Sequence, residues 1–165
     1  MNNPFEKYSQ PEDFTEKFGL VGKVYAYHYD KDWNLVEQYV SPNTACNTGK
    51  AQIAGYISGI VANNTNMFKY LAIGTGTTAA ATTDTTLVSE VGTRVTATNS
   101  RQTTTYTNDT SRLLGTFTFN ASTAITEAGV FDASTTGTVC ARQTVGTLSM
   151  ASGDSLVLQW DLRLT

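Results

Sequence analysis

The sequence is short of charge, histidine and cysteine, and each shortage removes a class of function. Charged side chains make up 15% of the 165 residues, with 11 Lys and Arg against 14 Asp and Glu, for a net charge of −3. With a pI near 5.0, such a chain has no field to draw phosphate, so neither nucleic acid nor an anionic membrane surface is an expected partner. No apolar run reaches the roughly 18 residues that a membrane-crossing helix needs. The N-terminal stretch MNNPFEKYSQPEDFTEKFG lacks the apolar segment of a secretory signal; the expectation is a soluble chain made in a cytoplasm. The single histidine, His28, would have to serve any Ser-His-Asp or Cys-His arrangement. It sits in a tyrosine-rich run, where a satisfied or exposed strand residue is the ordinary state. Cys46 and Cys140 have no CxxC spacing and with one histidine make no standard zinc site. They read as two buried thiols, bridged only if the fold brings them together.

What fills the space left by charge is threonine, roughly one residue in six, far above ordinary usage. Threonine is β-branched, stiff at χ1 and suited to a pleated surface. A chain rich in Thr, Ser and Asn and poor in Lys therefore reads as β structure with a hydroxyl-covered surface. Its length suits one domain that buries about two-thirds of its unfolded surface.

The chain divides into an N-terminal arm, residues 1–20, and a β-rich domain, residues 21–165. The arm holds Pro4 and Pro11 and the spaced aromatics Phe5, Tyr8, Phe14 and Phe18. A disordered tail would be poor in aromatics, so these four are the candidate interface residues, docking on the chain's own domain or on a neighbour. Val24–Tyr29 and Leu35–Val40, with Asp30–Asn34 between them, predict a hairpin. A helix follows, capped by Asn43 or Thr44, with Ile53, Tyr56, Ile57 and Ile60 on one face and Gly59 at its end. Tyr70–Ile73 reads as a buried strand. Leu87–Val91 reads as a helical turn or an extended segment. Arg94–Thr98 and Gln102–Thr107 read as a hairpin around Asn99-Ser100. Further strands are expected at 114–119, 125–131, 138–143 and 156–164. In the last of these Leu156, Leu158, Trp160, Leu162 and Leu164 share one face, the period-2 pattern of a half-buried strand. The fold expected is mainly β: an antiparallel β-sandwich or barrel-like domain with one short helix and an extended N-terminal arm.

Motifs that could carry chemistry fail in context. Gly74-Thr75-Gly76-Thr77-Thr78-Ala79 fits the dinucleotide fingerprint superficially, but no apolar helical stripe follows it. A turn or bulge in which glycine supplies positive φ is the better reading. Asn47-Thr48-Gly49-Lys50-Ala51 lacks the upstream glycine and the hydroxyl residue of a phosphate loop. Asp30-Lys31-Asp32-Trp33-Asn34 begins like a calcium loop, but Leu35 and Ser41 stand where glycine and a bidentate glutamate belong. Glu127 and Asp132 flank a strand and could form an acid/base pair acting on a glycan. Their surroundings lack the aromatic and amide clustering of a sugar site, and Glu127 reads better as the partner of an arginine such as Arg94 or Arg142. No catalytic, cofactor-binding or metal-binding residue is expected, and the chain is read as a non-enzyme.

Taken in order, these segments form a pattern. Tyr70-Leu71-Ala72-Ile73-Gly74-Thr75-Gly76-Thr77-Thr78 is followed by Asp84-Thr85-Thr86-Leu87-Val88-Ser89-Glu90. Ile125-Thr126-Glu127-Ala128-Gly129-Val130-Phe131-Asp132 then precedes an alternating C-terminal strand. From roughly residue 34 onward this resembles a group of small proteins encoded in phage and prophage structural modules, with members like capsid decoration (cement) proteins or tail and fibre components. The resemblance implies a virion location and partners such as the major capsid protein or other virion proteins, with self-association as a dimer or trimer. Decoration is favoured over a tail, baseplate or fibre part because no fibrous repeat is present; a small glycan hydrolase is the reading from another class. Within the pattern Gly74, Gly76, Asp84, Glu127 and Gly129 are the fold-specifying positions: the first two at a strand-to-loop turn, Asp84 capping the loop, Gly129 at a bulge or close backbone approach.

Overall fold

A computed structural model describes residues 19–60 and 67–165. The strands are β1 (Leu20–Tyr29), β2 (Leu35–Pro42), β3 (Thr44–Ala45), β4 (Tyr70–Gly74), β5 (Glu90–Thr96), β6 (Thr98–Gln102), β7 (Thr110–Thr118), β8 (Thr123–Phe131), β9 (Val139–Met150) and β10 (Ser155–Leu164). One helix, α1 (Asn47–Ile57), lies between β3 and β4. The strands form two antiparallel five-stranded sheets, ordered β2-β1-β10-β7-β6 (sheet A) and β3-β9-β8-β4-β5 (sheet B). The mainly β, sandwich-like class expected from composition is the one observed. The expected arm, with Phe5, Tyr8, Phe14 and Phe18, lies outside the described residues up to position 18. The described chain begins with Gly19, which exchanges two backbone bonds with Thr165 (2.7 and 2.9 Å).

The expected first hairpin forms. Asp30 nucleates its turn: the carboxylate accepts the N–H of Asp32 (2.9 Å) and of Asn34 (2.8 Å), an Asx-type turn. Trp33 takes a left-handed conformation, φ 62. β10, expected from alternation alone, is the central strand of sheet A. Leu156, Leu158 and Trp160 are fully buried, and only Leu164 at its end is exposed. The core joins both sheets, with Val24, Leu113, Phe117 and Trp160 from sheet A meeting Leu71, Ile125, Val130 and Leu148 from sheet B.

The helix and the hairpin after it depart from expectation. Neither Asn43 nor Thr44 caps the helix. Thr44 and Ala45 pair with Arg142 and Ala141 as β3, which delays the helix to Cys46, an N-cap without a side-chain bond. Its apolar face is also not the buried one. Ile57 and Ile60 are 75% and 84% exposed, whereas Gly49 packs so closely that a Cβ there would stand 2.5 Å from the Cα of Cys140. Gly59, at φ 70 just beyond Ser58, does mark the helix end.

The second correction concerns the hairpin around Asn99-Ser100. β5 pairs with β4 in sheet B, while β6 pairs with β7 in sheet A, setting Asn99 against Leu113 and Ser100 against Arg112. The chain changes sheets at Ala97, whose N–H bonds to Lys69 O at 2.7 Å. β2 and β3 turn the opposite corner at Asn43. Strands that switch sheets at corners close a sandwich into a barrel-like body. Residues expected as the hairpin's second arm are instead a loop around Asp109. Its carboxylate accepts N–H bonds from Thr104, Thr105 and Tyr106. Of Leu87–Val91, Val88 and Ser89 form a bend and only Glu90 and Val91 are strand, the start of β5, and the strand expected at 138–143 continues to Met150.

Candidate interaction surface

The fold-specifying residues converge on one buried cluster beneath the loop from Thr75 to Ser89. Glu127, on β8, is fully buried. One carboxylate oxygen accepts the N–H of Gly76 (3.1 Å) and of Ser89 (2.7 Å). The other accepts the N–H of Val88 (3.1 Å) and the guanidinium of Arg142 (2.8 Å). Burial pushes this carboxyl up, but the Ser89 and Val88 donors and Arg142 outweigh it, and its pKa lies below the ordinary value. Arg142, also fully buried, reaches Asp84 (2.9 Å) and the Thr78 carbonyl (2.8 Å). Asp84 in turn accepts the Ala81 N–H at 2.9 Å. Of the two arginines considered as partners of Glu127, Arg142 fills the role. Arg94 pairs with Glu90 at 2.7 Å and lies over the Phe131 ring.

Gly74 and Gly76 serve a different purpose from the one expected. Neither has positive φ. A Cβ at either position would stand 2.5 Å from a carboxylate oxygen of Glu127, so glycine is required because backbone and buried anion touch. Gly129 is likewise a close approach, since a Cβ there would meet Leu87 at 2.9 Å. Every oxygen of Glu127 is engaged by the loop or by Arg142. Asp132 is tied to Thr138 N–H (2.6 Å) and Gln52 (3.0 Å), and among the described residues neither acid lines the four cavities of about 360 to 540 Å³. What the arrangement can do chemically is hold a loop.

The other singled-out side chains are equally committed. His28 is buried, its Nε2 2.7 Å from Asp154 Oδ2. An ionised carboxylate only accepts, so Nε2 carries the proton. Among the described residues Nδ1 is buried without a hydrogen-bond partner, so none of them sets a nucleophile at the ring. Asp154 also takes the Ala151 N–H, and that bond, followed by the one from His28, lowers its pKa. Cys46 and Cys140 are free and buried. A backbone bond joins them, Cys46 N–H to Cys140 O at 2.9 Å, but the two thiols belong to different apolar clusters. Burial pushes Cys46 up to about 11 and Cys140 up to about 12, which removes thiolate reactivity at neutral pH.

What the described surface offers is apolar area. Sheet A places Leu35, Val36 and Val40 of β2 at its margin, 50%, 58% and 50% exposed, with Trp33 at the adjoining turn 62% exposed. Beside them Tyr25 and Tyr27 of β1 stand opposite Val40 and Gln38 and are half-buried. A second apolar area lies by α1. There a cavity of about 540 Å³ is lined by Ile53, Tyr56, Phe68, Leu113 and Leu162 among others, and an adjoining groove includes Gly19, the first described residue. The exposed apolar margin of β2 is a feature the sequence reading did not single out. The signal was present as Leu35-Val36 and Val40, apolar at both odd and even positions, which a strand with one buried face does not need. No family model, no curated protein and no solved structure matches this chain.

Proposed function

We propose that this chain is a bacteriophage virion structural protein, specifically a capsid decoration subunit that stabilises the shell by packing against the major capsid protein. The observation that carries this reading joins sequence to geometry. The two segments on which the resemblance to phage structural proteins rests meet in space, Glu127 of one held by the backbone of the other. They form a clamp that fixes a loop. With the polar chemistry turned inward and apolar side chains left at a sheet margin, the surface suits association with protein better than turnover of a small molecule. Imaging of intact particles carrying a labelled copy of the subunit tests the proposal. Label distributed over the shell supports decoration; label confined to the tail favours the tail, baseplate or fibre reading; unlabelled particles overturn both.

The aromatic arm supplies a second expected result. Deleting residues 1–18 leaves Leu20 opposite Leu164 at the start of β1, so the domain should still fold, with a cooperative unfolding transition retained. Occupancy on particles should fall, since Phe5, Tyr8, Phe14 and Phe18 are the aromatic anchors the sequence offers. Equal occupancy for the truncated and full chains would remove the arm from the interface.

A further inference from the structure

The end of the sandwich beside α1 carries an apolar trough made of two adjoining cavities. One, of about 540 Å³, runs between Ile53 and Tyr56 of α1 and Leu162 and Leu164 at the end of β10. The other, of about 360 Å³, follows α1 past Ala54 and Ile57 to Gly19. Leu20 and Ile53 line both. Each falls within the size of clefts that hold a bound group, roughly 300–1,000 Å³. The apolar stripe of α1 faces this trough: Ile53 and Tyr56 line it, and Ile57 stands at its rim, 75% exposed. Apolar stripes on helices lie where something covers them, and among the described residues nothing covers Ile57.

Two stretches of the chain lie outside the described residues, 1–18 and 61–66. The second, Val61-Ala62-Asn63-Asn64-Thr65-Asn66, is mostly polar. The first carries the four aromatics and begins at the trough itself. Phe18 precedes Gly19, which lines the groove and is fixed by its two backbone bonds to Thr165. Phe14 is five positions from Gly19, so it lies within about 18 Å of that residue. Both rings are thus held within reach of the α1 wall. Charge points the same way. Residues 12–18 hold Glu12, Asp13 and Glu16 against Lys17 alone. Lys50 and Arg101 line the trough, both exposed and neither in an ion pair among the described residues. Asp109, the acid on its lining, turns its carboxylate into its own loop.

We propose that Phe14 and Phe18 of the chain's own N-terminal arm occupy this trough and cover the apolar stripe of α1, with Glu12, Asp13 and Glu16 drawn toward Lys50 and Arg101. The arm is tethered at Gly19, so docking is intramolecular, at an effective concentration in the millimolar range. A contact with an intrinsic dissociation constant of about 0.1 mM would then be made about ten times more often than not. An arm from a second copy, at micromolar concentration, would rarely fill a site of that strength, and the tether therefore favours the chain's own arm. Phe5 and Tyr8, beyond Pro11, are left for contacts with other chains.

The proposal concerns the free chain and stands apart from the particle assignment. Ala54, exposed on α1, lines the trough, whereas Ala51, also exposed, does not. In the full-length chain Ala54→Cys should react with a maleimide about ten-fold more slowly than Ala51→Cys. The native thiols, Cys46 and Cys140, are buried and stay silent. Adding Phe14→Ser and Phe18→Ser should bring the two rates together without loss of the cooperative urea transition. The protection should be the same at low and high chain concentration. Equal rates with the arm unchanged, or protection that the two serines leave intact, overturns the proposal. Protection that grows with chain concentration assigns the trough to the arm of another copy and overturns it as well.

Discussion

Arg142→Met should destabilise the domain by about 3–5 kcal/mol, the range for removing one partner of a buried ion pair. Methionine fills much of the same volume, so the loss is one of charge and donors. Glu127 would remain fully buried, keeping the Gly76, Val88 and Ser89 N–H groups but losing its counter-charge. Asp84 and the Thr78 carbonyl would lose their partner too. Urea unfolding at pH 7 measures the cost, and a loss below about 1 kcal/mol would contradict it.

The pH dependence gives an independent readout. The folded pKa of Glu127 lies below its ordinary 4.5. Its contribution to stability is therefore fully present above that ordinary value and is lost as pH falls through the depressed folded value. Without Arg142 the folded pKa rises, so the loss should begin at higher pH in the variant than in the parent chain. Glu127→Gln should also destabilise, by about 2–3 kcal/mol, because an amide cannot accept at both ends. Whichever way it is turned, its NH₂ faces N–H donors, either those of Gly76 and Ser89 or those of Val88 and Arg142. The variant should lower stability while abolishing no turnover. Glycan cleavage that this substitution removes would overturn the structural reading of Glu127.

Legibility in the sequence followed the range of the forces involved. β1, β2 and β10 were readable because local alternation and turn chemistry determine them: Asp30 closes its own turn, and Leu156 to Leu162 place one face in the core. The helix start was not, because Thr44 and Ala45 are drawn into a sheet by residues almost a hundred positions away. The false hairpin at Asn99-Ser100 had the right composition for a turn, and only the pairing of β6 with β7 shows that those residues continue a strand. The importance of Gly74, Gly76, Asp84 and Glu127 as a set was legible. The reason for the glycines was not, since a close approach to a carboxylate 51 or more residues away leaves no local mark. The exposed margin of β2 was visible as apolar residues on both faces, but calling it an edge required the strand order.

Trp160→Ala should cost about 3–5 kcal/mol, the range for emptying a buried aromatic site. Trp160 is fully buried on the central strand of sheet A, directly opposite Val24 on β1 and Leu113 on β7, both buried as well. Flanked by strands on both sides, the site has little freedom to collapse, so the cavity persists. For a domain of this size the melting temperature should fall by roughly 10 °C. Trp160→Phe separates packing from polarity. The indole Nε1 is buried without a hydrogen-bond partner, and an unsatisfied buried donor costs about 1–3 kcal/mol. Phenylalanine leaves a smaller cavity and removes that donor, so the two effects oppose each other and the net loss should stay below about 2 kcal/mol. Circular dichroism during urea unfolding reads both variants without relying on the indole that has been removed. A loss above about 2 kcal/mol for the phenylalanine variant would show that the N–H makes a stabilising bond in the folded chain.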